Sequence, residues 1–556
     1  MSTAPAEQTG PRSVLYLAGS VYSPADPFAT AVLVEGERVA WVGSEEAAQA
    51  QRSRADVVVE APDALVTPGF VDAHAHVTET GLALAGVDLA SATSAAQVLD
   101  LVAAAVREAP GRPVLGHGWD DTAWPEGAPP SREELDRAAR GGEVLLTRVD
   151  VHSALVSSAL AERAGLRGLE GWDGGALVRL RAHDLARDAS RRLGAGERER
   201  VQRRALRAAA AAGVAAVTEC SAPHVGSPED LRALHALSAG GEVPEVLPYW
   251  GALVRDEDGA RAALAAVDGA GVLGLAGDLC VDGSYGSRTA ALRAPYADLA
   301  GTGLPDDHAG TAHLGAADVA AHLAACTRAG VQGGFHVIGD AACDALVEGL
   351  LAAEREVGTP ALASARHRVE HLEAPDARAV AELARLGVVA SVQPAFDALW
   401  GGPGRLYAQR LGAGRAAALN PLADLASAGV PLALGSDAPV TPFDPWGAVR
   451  ACTAMSGERQ SLSARAAFLA HTRGGWRAAR RDGEGVLVPG ALATLAVWSV
   501  GDLVVQAADA RVSSWSTDPR SGTPGLPDLS EGAPAPRCQR LLRAGRVLHD
   551  SGELAA

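Results

Sequence analysis

His74 and His76 end the apolar run Ala64-Leu-Val-Thr-Pro-Gly-Phe-Val-Asp-Ala-His-Ala-His76. In an extended strand, residues two apart face the same side, so both imidazoles project together and can grip one divalent ion. A bare His-x-His pair is weak evidence, and partners must come from elsewhere. Three later segments each run as a short apolar stretch into a metal-capable side chain: Val331-Gln-Gly-Gly-Phe-His336, Arg366-His-Arg-Val-Glu-His371 and Val430-Pro-Leu-Ala-Leu-Gly-Ser-Asp437. Zn²⁺ held by such groups with one open position lowers the pKa of its bound water to about 7, which makes a nucleophilic hydroxide at neutral pH. Asp437 is placed to take the proton as hydroxide attacks a carbonyl or amidine carbon, and to return it to the leaving nitrogen. His371 either ligates a second ion or, with one ion bound, orients the hydroxide or stabilises the oxyanion.

The elements that position these residues follow a rhythm. The three later segments are each preceded by a helix-like stretch with apolar residues at three and four spacing, at 317–329, 377–386 and 422–428. Strands alternating with such helices pair in parallel, and a parallel barrel collects the C-terminal ends of its strands on one face. Further strands are predicted at 213–219, 245–250, 277–282 and 388–393, which brings the count to eight. The expected fold class is therefore α/β, a (β/α)8 TIM barrel. Strand-like alternation at 13–18, 31–35 and 38–43 returns at 485–490, 495–500 and 539–548, so both chain ends are predicted to build one β-sandwich beside the barrel. The expected division is 1–66 and 485–556 for the sandwich halves and 67–484 for the barrel. An insertion subdomain at about 82–192, after barrel strand 1, is placed to roof the site. The Pro/Gly/Ser/Asp-rich stretch 513–537 reads as a surface loop.

Composition narrows the function. The chain has 556 residues, 48% of them hydrophobic, enough for a large barrel with a satellite domain. A formal charge of −18 disfavours nucleic acid and anionic membranes as partners and suits a small neutral or cationic substrate. No basic segment followed by an apolar core opens the chain and no run reaches membrane-spanning length, so the expected location is the cytoplasm. A homodimer is an open expectation for its assembly. The six cysteines, Cys220, Cys280, Cys326, Cys343, Cys452 and Cys538, form no CxxC pair and read mostly as buried thiols. There is no lysine anywhere, so every cation among the 49 Lys and Arg is arginine.

The ordered set Pro68-Gly-Phe-Val-Asp-Ala-His-Ala-His76, Asp282-Gly-Ser-Tyr-Gly-Ser-Arg-Thr-Ala290, His336-Val-Ile-Gly-Asp340, Arg368-Val-Glu-His371, Gly435-Ser-Asp-Ala-Pro-Val440 and Gly485-Val-Leu-Val-Pro-Gly490 resembles the amidohydrolase superfamily. The resemblance is to its amidohydrolase 3 branch, which includes N-substituted formamide deformylases and relatives of D-aminoacylase. It implies a distorted (β/α)8 barrel with a sandwich of both chain ends. It also implies metal ligation by His74, His76, His336 and His371, with Asp437 as ligand and proton shuttle. One departure matters. Many relatives carry on the fourth strand a lysine that becomes a carbamate bridging two metals, and Asp278 aligns there. Arginine cannot take that role because its guanidinium stays protonated, so a carboxylated lysine is excluded. What remains is a single ion held by His74, His76, His336 and Asp437, which is favoured, or a pair bridged by Asp278, Cys280 or Glu219. The usual Ala-Asp near the C-terminal sandwich is Ala493-Thr494 here, a neutral change.

Candidates for substrate contact are His117, Trp119, Asp120 and His152 in the insertion, Arg288 for a substrate carboxylate, and Phe396 and Trp400 as an apolar wall. The insertion residues serve equally well to tie that subdomain together, and Arg288 to anchor loop carbonyls. His313 and His322 read as surface residues. The expected function is a metal-dependent hydrolase, with zinc the expected ion, acting on a C–N bond of an amide, N-acyl or N-formyl compound other than a peptide. The alternatives are a mononuclear deaminase or cyclic-amidine hydrolase and, in another class, a non-catalytic binding protein that keeps the fold.

Overall fold

The computed structural model describes residues 13–191, 193–457, 459–504 and 524–554. The N-terminal segment read above for a leader, and residues 513–523 of the expected loop, lie outside the described residues. Eight parallel strands form the centre: β1 (Phe70–Ala75), β2 (Val214–Ser221), β3 (Glu245–Trp250), β4 (Gly274–Leu275), β5 (Gln332–Val337), β6 (Arg368–His371), β7 (Val389–Val392) and β8 (Leu432–Leu434). They pair as two sheets, β3-β2-β1 and β4-β5-β6-β7-β8. All residues of β1, β2, β5, β6 and β7 are buried, as strands covered on both faces require. Single backbone bonds join the sheet edges: Leu273 N donates to Pro248 O (2.9 Å) between β4 and β3, and beyond β8 Asp437 N donates to His74 O (2.7 Å) and His76 N to Ala438 O (2.8 Å). The ladders of the described residues run as these two sheets and not as one closed ring.

Helices intervene where the periodicity predicts them, at Ala316–Arg328, Ala377–Arg385 and Leu422–Ala428. The second shows the local logic. Asp376 accepts from Ala379 N (2.9 Å) as N-cap, and Ala379, Val380 and Leu383 form the buried face, with Val380 and Leu383 in the main core.

Two strand predictions shift. The apolar run 64–76 is broken at Gly69, whose N–H bonds Thr494 O (3.1 Å), so Val57–Pro68 joins the terminal sheet and only Phe70–Ala75 is β1. The fourth strand is Gly274–Leu275 rather than 277–282. Gly277 takes φ +93° against the backbone of Cys220, where a Cβ would come within 3.0 Å, and this turn ends the strand. Beyond it Cys280 keeps one isolated bridge to His336.

Both chain ends enter one seven-stranded sheet, in the order Arg546–Asp550, Arg537–Arg543, Leu495–Ser499, Val57–Pro68, Ser13–Val21, Ala31–Glu35, Arg38–Gly43. It is a single curled sheet where two layers were expected: its far edge returns to the approach of the C-terminal strands through Val39 N to Ala491 O (2.9 Å) and Gly490 N to Val39 O (2.8 Å). Tyr16, Val32, Val497 and Leu542 fill the inside of the curl. Residues 485–490 form turns rather than a strand, although Leu487 is buried in that core. Within the expected loop, Leu526–Pro527 pairs antiparallel with Leu503–Val504.

The segment between β1 and β2 carries its own five-stranded sheet, ordered Leu177–Arg179, Ser153–Val156, Val144–Arg148, Val114–Trp119, Val87–Asp88, and its own core around Leu89, Val98, Trp119, Trp124 and Leu146. No helix among the described residues is long and apolar enough to cross a membrane.

Candidate metal centre

The C-terminal ends of the parallel strands deliver six side chains to one point. β1 supplies His74, and His76 follows at the head of the helix Val77–Ala83; the turn after β4 supplies Asp278, β5 His336, β6 His371 and the segment after β8 Asp437. His74 Nε2 lies 3.3 Å from Asp437 Oδ1 and 3.5 Å from Asp278 Oδ1, while His76 Nε2 lies 3.1 Å from Asp437 Oδ1 and 3.3 Å from Asp278 Oδ2. His336 Nδ1 is 3.8 Å from Asp278 Oδ1, and the His336 and His371 rings are 4.4 Å apart. His371 (φ +69°) and Asp437 (φ +56°) hold left-handed backbone that costs a non-glycine residue on the order of 1–3 kcal/mol, strain of the kind stored where side-chain aim matters.

Neighbours fix which nitrogen three of the four histidines present, His76 Nδ1 being buried without a partner. His74 Nδ1–H donates to Glu370 Oε2 (2.8 Å), His371 Nδ1–H to Gln393 Oε1 (2.8 Å) and His336 Nε2–H to Gly283 O (3.1 Å). Each leaves its other nitrogen as a lone pair, the arrangement of a metal-ligating imidazole. His74 Nε2, His336 Nδ1, Asp278 Oδ1 and Asp437 Oδ1 are buried without a hydrogen-bond partner. Orphaned acceptors on four converging side chains would be costly unless a cation completes them. Imidazole nitrogen with carboxylate oxygen suits a divalent ion such as Zn²⁺. Among the described residues four groups lie close enough to share an ion: His74/His76/Asp278, Asp278/His336/His371, His74/His371/Asp437 and, on the Glu370 side of His74, His74/Cys220/Glu370; Asp278 belongs to two of them.

The facing acids and imidazoles hold one another charged. Burial lowers His74, His76 and His336, but the acidic groups around them, Asp437 and Asp278 among them, outweigh it and raise all three, so a cation that enters takes the place of their protons. Burial pushes the Asp437 carboxyl up, but His74, His76 and His371 outweigh it and hold the group well below the usual carboxylate range. Asp278 is held low in the same way, with His76 the leading opponent of burial. His371 falls to about 3, through burial and then the neighbouring His336 and His74. Beneath them Glu370, against the cost of its burial, is held at about 2 by Arg368 and His74. Arg368 Nε donates to Glu370 Oε1 (2.5 Å) and Nη2 to Oε2 (3.0 Å), and both side chains are wholly buried. Arg368→Leu strands that carboxylate and is expected to cost ~3–5 kcal/mol in urea unfolding, whereas Arg368→Leu with Glu370→Leu recovers most of the loss yet leaves His74 without its partner and weakens metal binding. Equal destabilisation in the single and double variants would show that the buried charge is not the cause.

The other sequence candidates separate. Of the three bridging candidates only Asp278 faces the histidines. Cys280 Sγ turns to His224 Nε2 (3.8 Å) and Asp278 O (3.4 Å), and Glu219 Oε2 accepts from Val77 N (2.7 Å), its carboxyl raised to about 7 by burial. His152 stands beside His336, ring centroids 5.3 Å apart, and with Phe396 and Trp400 lines the recess above His336, His371 and Asp437. His117 lines a neighbouring cleft with His76 and Asp278 and donates from Nε2 to Pro439 O (2.9 Å). Trp119 is buried in the insertion core with Nε1 on Leu146 O (2.8 Å), and Asp120 caps Thr122 and pairs with Arg148 (2.7 Å), so both have partners inside the insertion. Arg288 pairs with Asp298 (3.0 and 2.7 Å), so its guanidinium is already held by a carboxylate of the chain. His313 is exposed as read, but His322 is fully buried, held by Leu275 O (2.8 Å) and Val254 N (3.2 Å) under β4. Sequence reasoning missed Glu370, Gln393 and Glu373. The first stands one residue before His371, the second directly after β7 and the third two residues past His371, so strand-end position was the available signal.

An α/β fold that gathers histidines and carboxylates at the ends of parallel strands is that of the metal-dependent hydrolases. Residues 57–548 match the sequence model of the amidohydrolase family, and the chain belongs to that family. It is similar to the protein LONG AFTER FAR-RED 3 of Arabidopsis thaliana, 27% identical over 512 residues that cover 85% of this chain and 84% of that one. It is likewise 27% identical to the putative amidohydrolase YtcJ of Bacillus subtilis (strain 168), over 69% of this chain and 72% of that one. In fold it resembles an uncharacterized metal-dependent hydrolase from Pyrococcus furiosus, with a TM-score of 0.66 and 23% identity, covering 87% of this chain and 98% of the other.

Proposed function

We propose that this protein hydrolyses a C–N bond of a small amide, N-acyl or N-formyl compound at a divalent metal centre, with zinc the ion its ligands suit. The observation that carries this reading is the convergence of the lone pairs of His74, His336 and Asp278 with the free Oδ1 of Asp437, all buried and unpaired. The two sheets read as one distorted (β/α)8 barrel, a reading supported by the backbone bonds at β3/β4 and at β8/β1. His74, His76, Asp278 and Asp437 would hold one ion. His336 and His371, with Asp278 shared, would hold a second, so the geometry favours two ions bridged by Asp278 over the single ion expected from the missing lysine.

A bound ion of this kind supplies Lewis acidity toward water and the substrate carbonyl. The chain's own residues do the rest. The Asp437 carboxylate accepts the proton of the attacking water through Oδ2, the oxygen not turned to His74 and His76, and returns it to the departing nitrogen, which prevents expulsion of an amide anion. His152, in the wall of the recess beside His336, is the donor placed to meet the developing oxyanion. Phe396 lies parallel to His371, ring centroids 6.1 Å apart and 11° between planes, and with Trp400 keeps water from that side.

The test is to strip the protein with chelator, reload it with Zn²⁺, and assay a panel of formamides, acetamides and N-acyl amines. Hydrolysis that vanishes and returns with the metal supports the reading. Ammonia release from an aminated heterocycle with no amide cleavage would move the chemistry to deamination. A protein that retained metal and turned over neither group would be a binding protein on this fold.

A further inference from the structure

Two hollows of unequal size flank the centre. The recess on the side of His336, His371 and Asp437 encloses about 30 Å³, room for one or two groups the size of water. On the Asp278 side, between the insertion and the barrel strands, a cavity of about 360 Å³ lies within the range of small-molecule sites. Its wall holds a charge without a counterpart. Arg187 and His183 stand four residues apart on one face of the helix Leu180–Ser190, 7% and 4% exposed, and Arg187 Nε and His183 Nε2 are buried with no hydrogen-bond partner. A guanidinium keeps its protons, so this Nε–H must donate or go unsatisfied, and a buried charged donor left unsatisfied is costly. Arg187 spends Nη2 on His224 O, and its nearest carboxylate among the described residues, Asp184 Oδ1 at 3.7 Å, lies beyond hydrogen-bond reach. The other acids of the wall are committed or remote. Asp278 belongs to the metal centre, Asp282 accepts from the N–H groups of Ala291 (2.9 Å), Ile338 (3.0 Å) and Gly339 (2.7 Å), and Glu170 is exposed. Burial and then the Arg187 charge keep His183 neutral, and its Nε2–H tautomer adds a second donor beside the guanidinium.

We propose that this cavity receives the acyl half of the substrate and that the acyl chain ends in a carboxylate held by Arg187 and His183, so that the substrate is the monoamide of a small dicarboxylic acid. The direction follows from the proton path. The departing nitrogen must lie beside Asp437, which lines the small recess and not the large cavity, so the amine is the size of ammonia or methylamine and the acyl chain leaves on the Asp278 side. Water adds to the amide carbon, the C–N bond breaks, and the proton that Asp437 took from the water departs on the nitrogen. The products are a dicarboxylic acid, which ionises, and the free amine. This deepens the hydrolase reading and rests on it for the bond that is cut, although not for the binding of the anion. The formal charge of −18 disfavours anions at long range, so the grip is local and comes from a buried guanidinium that salt screens little.

The experiment uses the metal-loaded full chain. In calorimetry, the best of succinate, glutarate and adipate is expected to bind roughly tenfold or more tighter than butyrate, which reaches the metal with its one carboxylate but leaves the helix donors empty. In kinetics, the best of succinamate, glutaramate and adipamate is expected to exceed butyramide in kcat/KM by a similar factor, carried by KM. In Arg187→Gln both preferences should shrink to within about threefold with metal content unchanged, whereas a merely structural role would weaken both members of each pair alike and leave the ratios. Preferences that persist in Arg187→Gln, or that the wild type lacks, overturn the proposal. Faster cleavage of N-acetyl-β-alanine than of glutaramate would put the carboxylate on the amine side and overturn it too. If Arg187→Gln does not fold, His183→Leu takes its place, with both preferences expected to fall about threefold and unchanged ratios counting against the subsite. An Arg187-dependent preference for the dicarboxylates in a protein that cleaves no amide would leave the anion subsite standing and remove the hydrolase reading.

Discussion

Asp437→Asn is expected to lower kcat on a responsive amide by about 10²–10⁴-fold, the contribution of a positioned general acid–base group, with a much smaller change in KM. The amide keeps the shape and one oxygen of the carboxylate but cannot take a proton at neutral pH. The native carboxyl suits the first half of the task because the surrounding imidazoles keep it ionised well below the usual range. Its backbone is fixed too, by φ +56° and by Asp437 N on His74 O, so the substitution should not move the side chain. Steady-state kinetics with parallel metal analysis check this. Turnover within about threefold of wild type, with metal retained, would remove Asp437 from the proton path.

Asp278→Ala is expected to reduce bound metal from about two equivalents to one or fewer by elemental analysis, and to abolish turnover that needs both ions. Two divalent cations held close together require an anion between them, and Asp278 faces both histidine pairs: it lies 3.3 Å from His76, 3.5 Å from His74 and 3.8 Å from His336. One equivalent in the wild type, unchanged in the variant, would return the centre to the single-ion arrangement and leave Asp278 a mere neighbour.

The histidines and Asp437 were legible because each closes an apolar run, and parallel strands of any order bring such ends to one face. Asp278 was legible only as one of three anions, since sequence gives no sign that Gly277 turns the chain through φ +93° and aims the next residue inward. Cys280, two residues on, faces away for the same reason. The insertion residues, open to two readings in the sequence, show the complementary limit. Trp119 and Asp120 sit beside His117 in sequence, but a tryptophan whose indole N–H needs an acceptor and an aspartate facing Arg148 find partners inside the insertion, and nothing local to those residues distinguishes that from a pocket wall. Glu370 and Glu373 escaped because buried carboxylates look like surface ones until the fold shows what surrounds them. The curled terminal sheet was half legible: alternation marked its strands at both ends, while the bonds that roll it up come from turns at 490–493 with no alternation of their own.

The strand Val57–Pro68 passes through Gly69 directly into β1, and its two edges are covered by strands from opposite ends of the chain, Ser13–Val21 and Leu495–Ser499. Trp498 completes that second edge with Nε1 on Thr67 Oγ1, across 431 residues of sequence. On the ribosome, therefore, the strand that leads into β1 emerges early and keeps one raw edge until residues 495–499 have been made. Such an edge is a template for pairing with other nascent chains. Messages cut short between residues 437 and 495 would yield chains with every side chain of the centre present and that edge still open, so chaperone demand during synthesis is built into the order of the strands.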